Sequence, residues 1–153
     1  MVTPLRGSDP GSISRLGGLL RTTSAALTAS AVELHSGTPI ATSCLTTATH
    51  LDSIGSALQV HAQQLAEAAV ARSRLRERAT AAGLDLTEWS IVEPYGVVAA
   101  EVAARRSVEQ AQLQAQADRL AAQLARTRSR LVRDLALART HLTQAAEIAR
   151  AHT

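Results

Sequence analysis

From Val97 to His152 the chain runs without a single glycine or proline, and this stretch constrains the fold more than any other. Apolar or small residues recur in it as Leu113, Ala117, Leu120, Leu124, Thr127, Leu131, Leu135, Ala138, Leu142, Ala145 and Ala149. The steps alternate between three and four, with one slip where two fours follow each other at Leu131 and Leu135. Such spacing holds one stripe of a helix towards a partner helix, as in a coiled coil. At about 1.5 Å per residue the helix extends roughly 75–80 Å, more than the width of a small domain.

Two shorter helices are expected upstream. Residues 1–11 carry two prolines and two glycines and read as a disordered lead-in. Ser12 is a suitable N-cap for a first helix over 12–34, with Ile13, Leu16, Leu20, Leu27, Ala31 and Leu34 on its apolar side. Gly17 and Gly18 interrupt that pattern; they either loosen the first turns or let another helix come close. Gly37 and Pro39 end the helix, and the Thr/Ser-rich stretch to Thr46 reads as a connection. Thr46 or Thr47 then caps a second helix over 47–82, carrying Leu51, Ile54, Leu58, His61, Leu65, Ala68, Arg72 and Leu75. Arginines in its last turns suit the negative end of the helix dipole, and Gly83 has the place of the glycine that follows a helix.

The loop 84–96 holds both aromatics of the chain, Trp89 and Tyr95, which are expected to fold back on the helix ends. A helical turn from Thr87 to Ile91 fits inside it. The third helix covers 97–152. The expected fold is therefore all-α: an antiparallel helical hairpin plus a long third helix, a coiled-coil-like bundle in one domain over 12–153.

With no Phe, one Trp, one Tyr and many alanines, the core gains little per contact. The third helix also outruns its neighbours, so part of its stripe is expected to lie uncovered. Both points favour a partner, either a second copy or another helical protein. The residues expected to meet it are Leu51, Ile54, Leu58 and Leu65 on the second helix and Leu113, Leu120, Leu124, Leu131, Leu135 and Leu142 on the third. Arg and Glu at the flanks would set register.

All sixteen cationic side chains are Arg, yet the net charge of +3 is small for a nucleic-acid binder. Arg126, Arg130 and Arg133 nevertheless share a helix face, with Arg119 seven residues earlier, and form the alternative site, for nucleic acid or another anion. No aromatic accompanies them for base stacking. The histidines (His35, His50, His61, His141, His152) show no metal-ligand spacing; His50 and His61, eleven apart, sit too far along one helix for a shared ion. Cys44 lacks an oriented base and reads as inert. Glu88 and Glu93 flank Trp89 without a second carboxylate pattern. No catalytic constellation, cofactor or metal is expected, and the chain reads as a non-enzyme. No apolar run of about 18 residues is present, so no membrane span is expected. The N-terminus lacks the pattern of a cleaved signal. A cytoplasmic location, or secretion without a cleaved leader, is the expectation.

Over roughly 11–80 the chain resembles the WxG-motif helical-hairpin proteins of type VII secretion. Two amphipathic helices and a short loop carry the likeness, and residues 51–68 (LDSIGSALQVHAQQLAEA) resemble the second helix of actinobacterial members. Cys44-Leu45-Thr46 stands where the family has Trp-x-Gly. Tyr95 is followed four residues on by Ala99 rather than by the acid of the family's export signal. The resemblance implies a partner, targeting or substrate protein of such a system. It would pair with a WxG-like chain or with the helical head of a secreted toxin, and the third helix would be an extension.

Overall fold

The structure, a computed structural model, describes residues 9–34, 38–94, 96 and 99–151. The described residues form three helices, α1 (Pro10–Glu33), α2 (Pro39–Ala81) and α3 (Ala100–Ala151), with a short hairpin, β1 (Asp85–Thr87) and β2 (Ser90–Val92), between α2 and α3. The fold is all-α, a helical hairpin followed by a long third helix. Tyr95, His35 and His152 lie outside the described residues, as does the lead-in up to residue 8. The chain forms two compact units, one of residues 1–63 and 128–153, the other of residues 64–127.

In the first unit α1 begins earlier than Ser12. Asp9 is the N-cap: its carboxylate accepts from the Gly11 and Ser12 amides and from the Ser12 hydroxyl, and Pro10 follows as the first helical residue. The Ser12 hydroxyl bond, followed by the two amide bonds, holds the Asp9 carboxyl below its ordinary range. Ser12 thus donates to the cap instead of forming it.

The Thr/Ser stretch expected as a connection is helical. The Thr38 hydroxyl accepts from the Ala41 amide, and Pro39 opens α2, a helix of 43 residues. Thr42, Thr46 and Thr49 turn their hydroxyls back onto the carbonyls of Thr38, Thr42 and Leu45. These bonds satisfy the hydroxyls inside the helix, so a polar run that reads as a loop keeps helical backbone.

Small residues set the crossing of α1 and α2. Gly17, Ser24 and Ala31 are the buried residues of α1, at a seven-residue interval. Ala41, Ala48, Gly55 and Ala62 are buried on α2 at the same interval. A Cβ on Gly17 would stand 2.7 Å from the Gly55 carbonyl oxygen and 2.9 Å from Gln59 Cγ. The Ser24 hydroxyl donates to the Ala48 carbonyl at 2.7 Å, and Arg21 pairs with Asp52 at 3.0 Å. Of the two adjacent glycines, Gly17 permits close approach, whereas a Cβ on Gly18 meets nothing nearer than Gln59 Nε2 at 4.0 Å. On another face α2 meets the end of α3: the Ser43 hydroxyl donates to the Ala145 carbonyl, and the His50 and His141 rings stack.

In the second unit α2 closes as the sequence leads one to expect. Gly83 takes a φ of +72°, its amide donates to the Thr80 carbonyl, and the Leu84 amide reaches back to Ala79 at 2.8 Å. The expected helical turn at 87–91 is instead the hairpin, with Leu86 opposite Ile91 and the tight connection Glu88–Trp89 between the strands. Glu88 has a φ of 52°, the left-handed geometry that primed hairpin turns require. Leu86 and Ile91 point the same way into a core of Leu75, Ala79, Leu84, Leu113 and Ala117. Three residues per strand suffice because α3 supplies missing ladder bonds. Gln114 accepts from the Ile91 amide at 2.8 Å and donates to the Trp89 carbonyl at 3.1 Å, and Gln110 donates to the Ile91 carbonyl at 2.9 Å. Trp89 packs, half-buried, against this core with the Arg72 guanidinium 5.5 Å from its ring centre.

Candidate functional site

The ten leucines and isoleucines expected to meet a partner fall into two groups. Leu58 (7% exposed) and Leu113 (0%) are buried within their own units, which corrects their assignment to a binding surface. Periodicity shows which face of a helix is apolar but not whether the chain itself covers that face. Leu51, Ile54, Leu65, Leu120, Leu124, Leu131 and Leu142 are half-buried, and Leu135 is exposed. Leu120 lies against the hairpin core of the second unit.

In the first unit three of these positions, Ile54, Leu135 and Leu142, converge with little to cover them. Ala138 of α3 is buried, while Leu135, Leu142 and Ala146 form an open groove with Ile54 of α2, of about 450 Å³. Thr143, Arg139 and Arg150 complete its lining. Val132, 57% exposed, lies one turn before Leu135 and Ala136 on the same helix. A shallow trough of this kind, apolar at the base and cationic at the rim, suits the side of an amphipathic helix better than a small molecule, which needs an enclosing pocket. In the second unit Ala68, Ala71, Leu120 and Leu124 line a cavity of about 130 Å³, too small for a partner's side chains to enter in number.

Arg119 and Arg126 are exposed in the second unit, and Arg130 and Arg133 in the first. Asp118, next to Arg119 in sequence, accepts from Gln114.

Beside the groove, His50 of α2 and His141 of α3 stack with ring centres 4.3 Å apart and planes within 7°. Asp134, Ser53 and Ala57 line the same small cleft, of about 140 Å³. Reading His50 together with His61 on one helix misses this pair. The signal was the antiparallel register, which sets 43 beside 145 and therefore 50 close to 141. His61 is half-buried, as its place on the stripe suggests, and its Nδ1 has no hydrogen-bond partner. Burial, and then the charge of Arg128, press its pKa below the ordinary 6.5. Among the described residues no three His, Cys, Asp or Glu side chains are grouped to hold a metal ion, and no helix is long and apolar enough to cross a membrane. Cys44 is a half-buried free thiol.

Comparison with protein families, with characterised proteins and with solved structures finds no match to this chain.

Proposed function

We propose that this chain is a helical interaction protein whose first unit receives an acidic amphipathic helix of another protein. The observation that carries the reading is the groove of Ile54, Leu135, Leu142 and Ala146, apolar along its base and flanked by Arg139 and Arg150. The surrounding part of α3 is strongly cationic: Arg128, Arg130, Arg133, Arg139 and Arg150 stand against only Asp134 and Glu147. A second copy laid face to face on this surface would bring like charges together across the twofold axis. A foreign helix with glutamates beside its apolar stripe would pair with them. The sequence resemblance suggests the setting, a type VII-like secretion system. The partner is then a WxG-like chain or the helical head of a secreted toxin, and the chain acts as its partner or targeting subunit without catalysing a reaction.

Co-expression with helical proteins encoded beside it, followed by size-exclusion chromatography with light scattering, tests the reading. A defined complex is expected with one of them. Leu135→Asp combined with Arg139→Glu should abolish it while the helical circular-dichroism signal survives. A chain that stays monomeric with all of them, or a complex indifferent to the double variant, would overturn the proposal.

A further inference from the structure

α1 carries a second stripe on the side turned away from α2. The residues it buries against α2 are Gly17, Ser24 and Ala31. At about 100° per residue the opposite side holds Arg15, Leu19, Thr22, Ala26, Ala29 and Glu33, and all six are exposed. Their steps alternate between four and three throughout, the spacing with which one helix lies along another. Leu19 is 66% exposed, and Leu16 and Val32 on the shoulders of the stripe are 50% and 75% exposed. We propose that α1 pairs, antiparallel, with α1 of a second copy of this chain along this stripe. The face shares no residue with the groove of α2 and α3, so the inference goes beyond the partner reading and either can fail without the other.

The stripe is its own complement when reversed. Turned end for end about Ser24, it sets Arg15 opposite Glu33, Leu19 opposite Ala29 and Thr22 opposite Ala26, each pair twice. A cation thus meets an anion, and the one large apolar side chain of the stripe meets a small one. A parallel pairing would instead set Arg15 against Arg15 and Glu33 against Glu33. No foreign helix requires this symmetry, whereas a second copy does. The charges are also the wrong way round for α1 alone. The helix has no acid in its first turn and no base in its last, and Glu33, its final residue, stands at the negative end of its own dipole. In the reversed pair that carboxylate comes beside Arg15 and the positive half of the other helix. Arg15 holds a long 3.4 Å bond to the Gly11 carbonyl of its own turn, which it can exchange for a carboxylate. Thr22, Ala26 and Ala29 are small enough to let the two backbones approach, and the contact of α1 with α2 through Gly17 and Ser24 is left as it is.

Sedimentation equilibrium of the full chain, over about a hundredfold range of concentration, should show a reversible monomer–dimer equilibrium. Arg15→Glu and Glu33→Arg each turn two opposite pairs into two like ones, and each should weaken the dimer at least about tenfold. Neither change opposes the dipole of α1, so melting of that helix does not account for the loss. The two single variants mixed together, and the chain carrying both exchanges, bring opposite charges together again and should dimerise as the parent does. Leu19→Asp should leave a monomer with the helical circular-dichroism signal of the parent. A parent that stays monomeric at every concentration, single exchanges no weaker than the parent, or a double exchange no stronger than the singles would each overturn the inference. A dimer that survives Leu19→Asp but is broken by Leu135→Asp would place the contact on the groove instead and overturn it too.

Discussion

Adjacent glycines of α1 should respond in opposite directions to the same substitution. In a helix interior Ala is worth about 0.8–1 kcal/mol over Gly, so Gly18→Ala, whose Cβ meets nothing closer than 4.0 Å, should gain most of that amount. Gly17→Ala receives the same propensity gain but drives a Cβ to 2.7 Å from the Gly55 carbonyl oxygen. That atom is backbone and cannot swing aside, so the helices must separate. Overpacking of this sort costs about 1–3 kcal/mol. Separation also stretches the buried 2.7 Å bond from Ser24 to Ala48, worth about another 1 kcal/mol. The net expectation is a loss of about 1–3 kcal/mol for Gly17→Ala, against a gain of about 0.5–1 kcal/mol for Gly18→Ala. For a chain of this size each kcal/mol moves the melting temperature by about 2–4 °C. Thermal unfolding followed at 222 nm should therefore place the two variants on opposite sides of the parent. Equal shifts in the same direction would show that the glycine crossing is not there.

Two further outcomes can be measured directly. Gln114→Ala strips the partners from the half-buried Ile91 amide and the Trp89 carbonyl, and should destabilise the second unit by about 1–3 kcal/mol. The sole tryptophan of the chain, Trp89, reports it through a red-shifted emission and an earlier urea transition. Duplex DNA should not be retained near physiological salt. Retention with a steep salt dependence, removed when Arg119, Arg126, Arg130 and Arg133 become Ala, would favour the anion-binding alternative, since each phosphate contact contributes about 0.9 to the salt slope.

Much of the helical framework is legible in the sequence because heptad spacing and helix stops are local. The stripe of α3, the glycine at position 83 and the return of Trp89 onto a helix core all follow from short windows of residues. The crossing of α1 with α2 does not, since attention to leucines passes over the glycine, serine and alanines that make the contact. Strands of three residues are too short for alternation to stand out, and the bonds that stabilise them come from glutamines more than fifteen residues away. The threonines up to Thr46 read as a loop by composition and become helix through hydroxyls that bond backwards. At the candidate site, Ile54, Leu135 and Leu142 could be named from spacing. Distinguishing them from Leu58 and Leu113 required knowing what the chain already covers.

Gln110 and Gln114 have one further consequence. An isolated two-stranded ribbon offers its outer hydrogen-bonding groups as a template on which other chains can add strands and grow into insoluble assemblies. Here two amide side chains occupy that border of β2 at Ile91, mimicking a third strand without being one. At Ile91 that border is thereby closed to a strand from another chain.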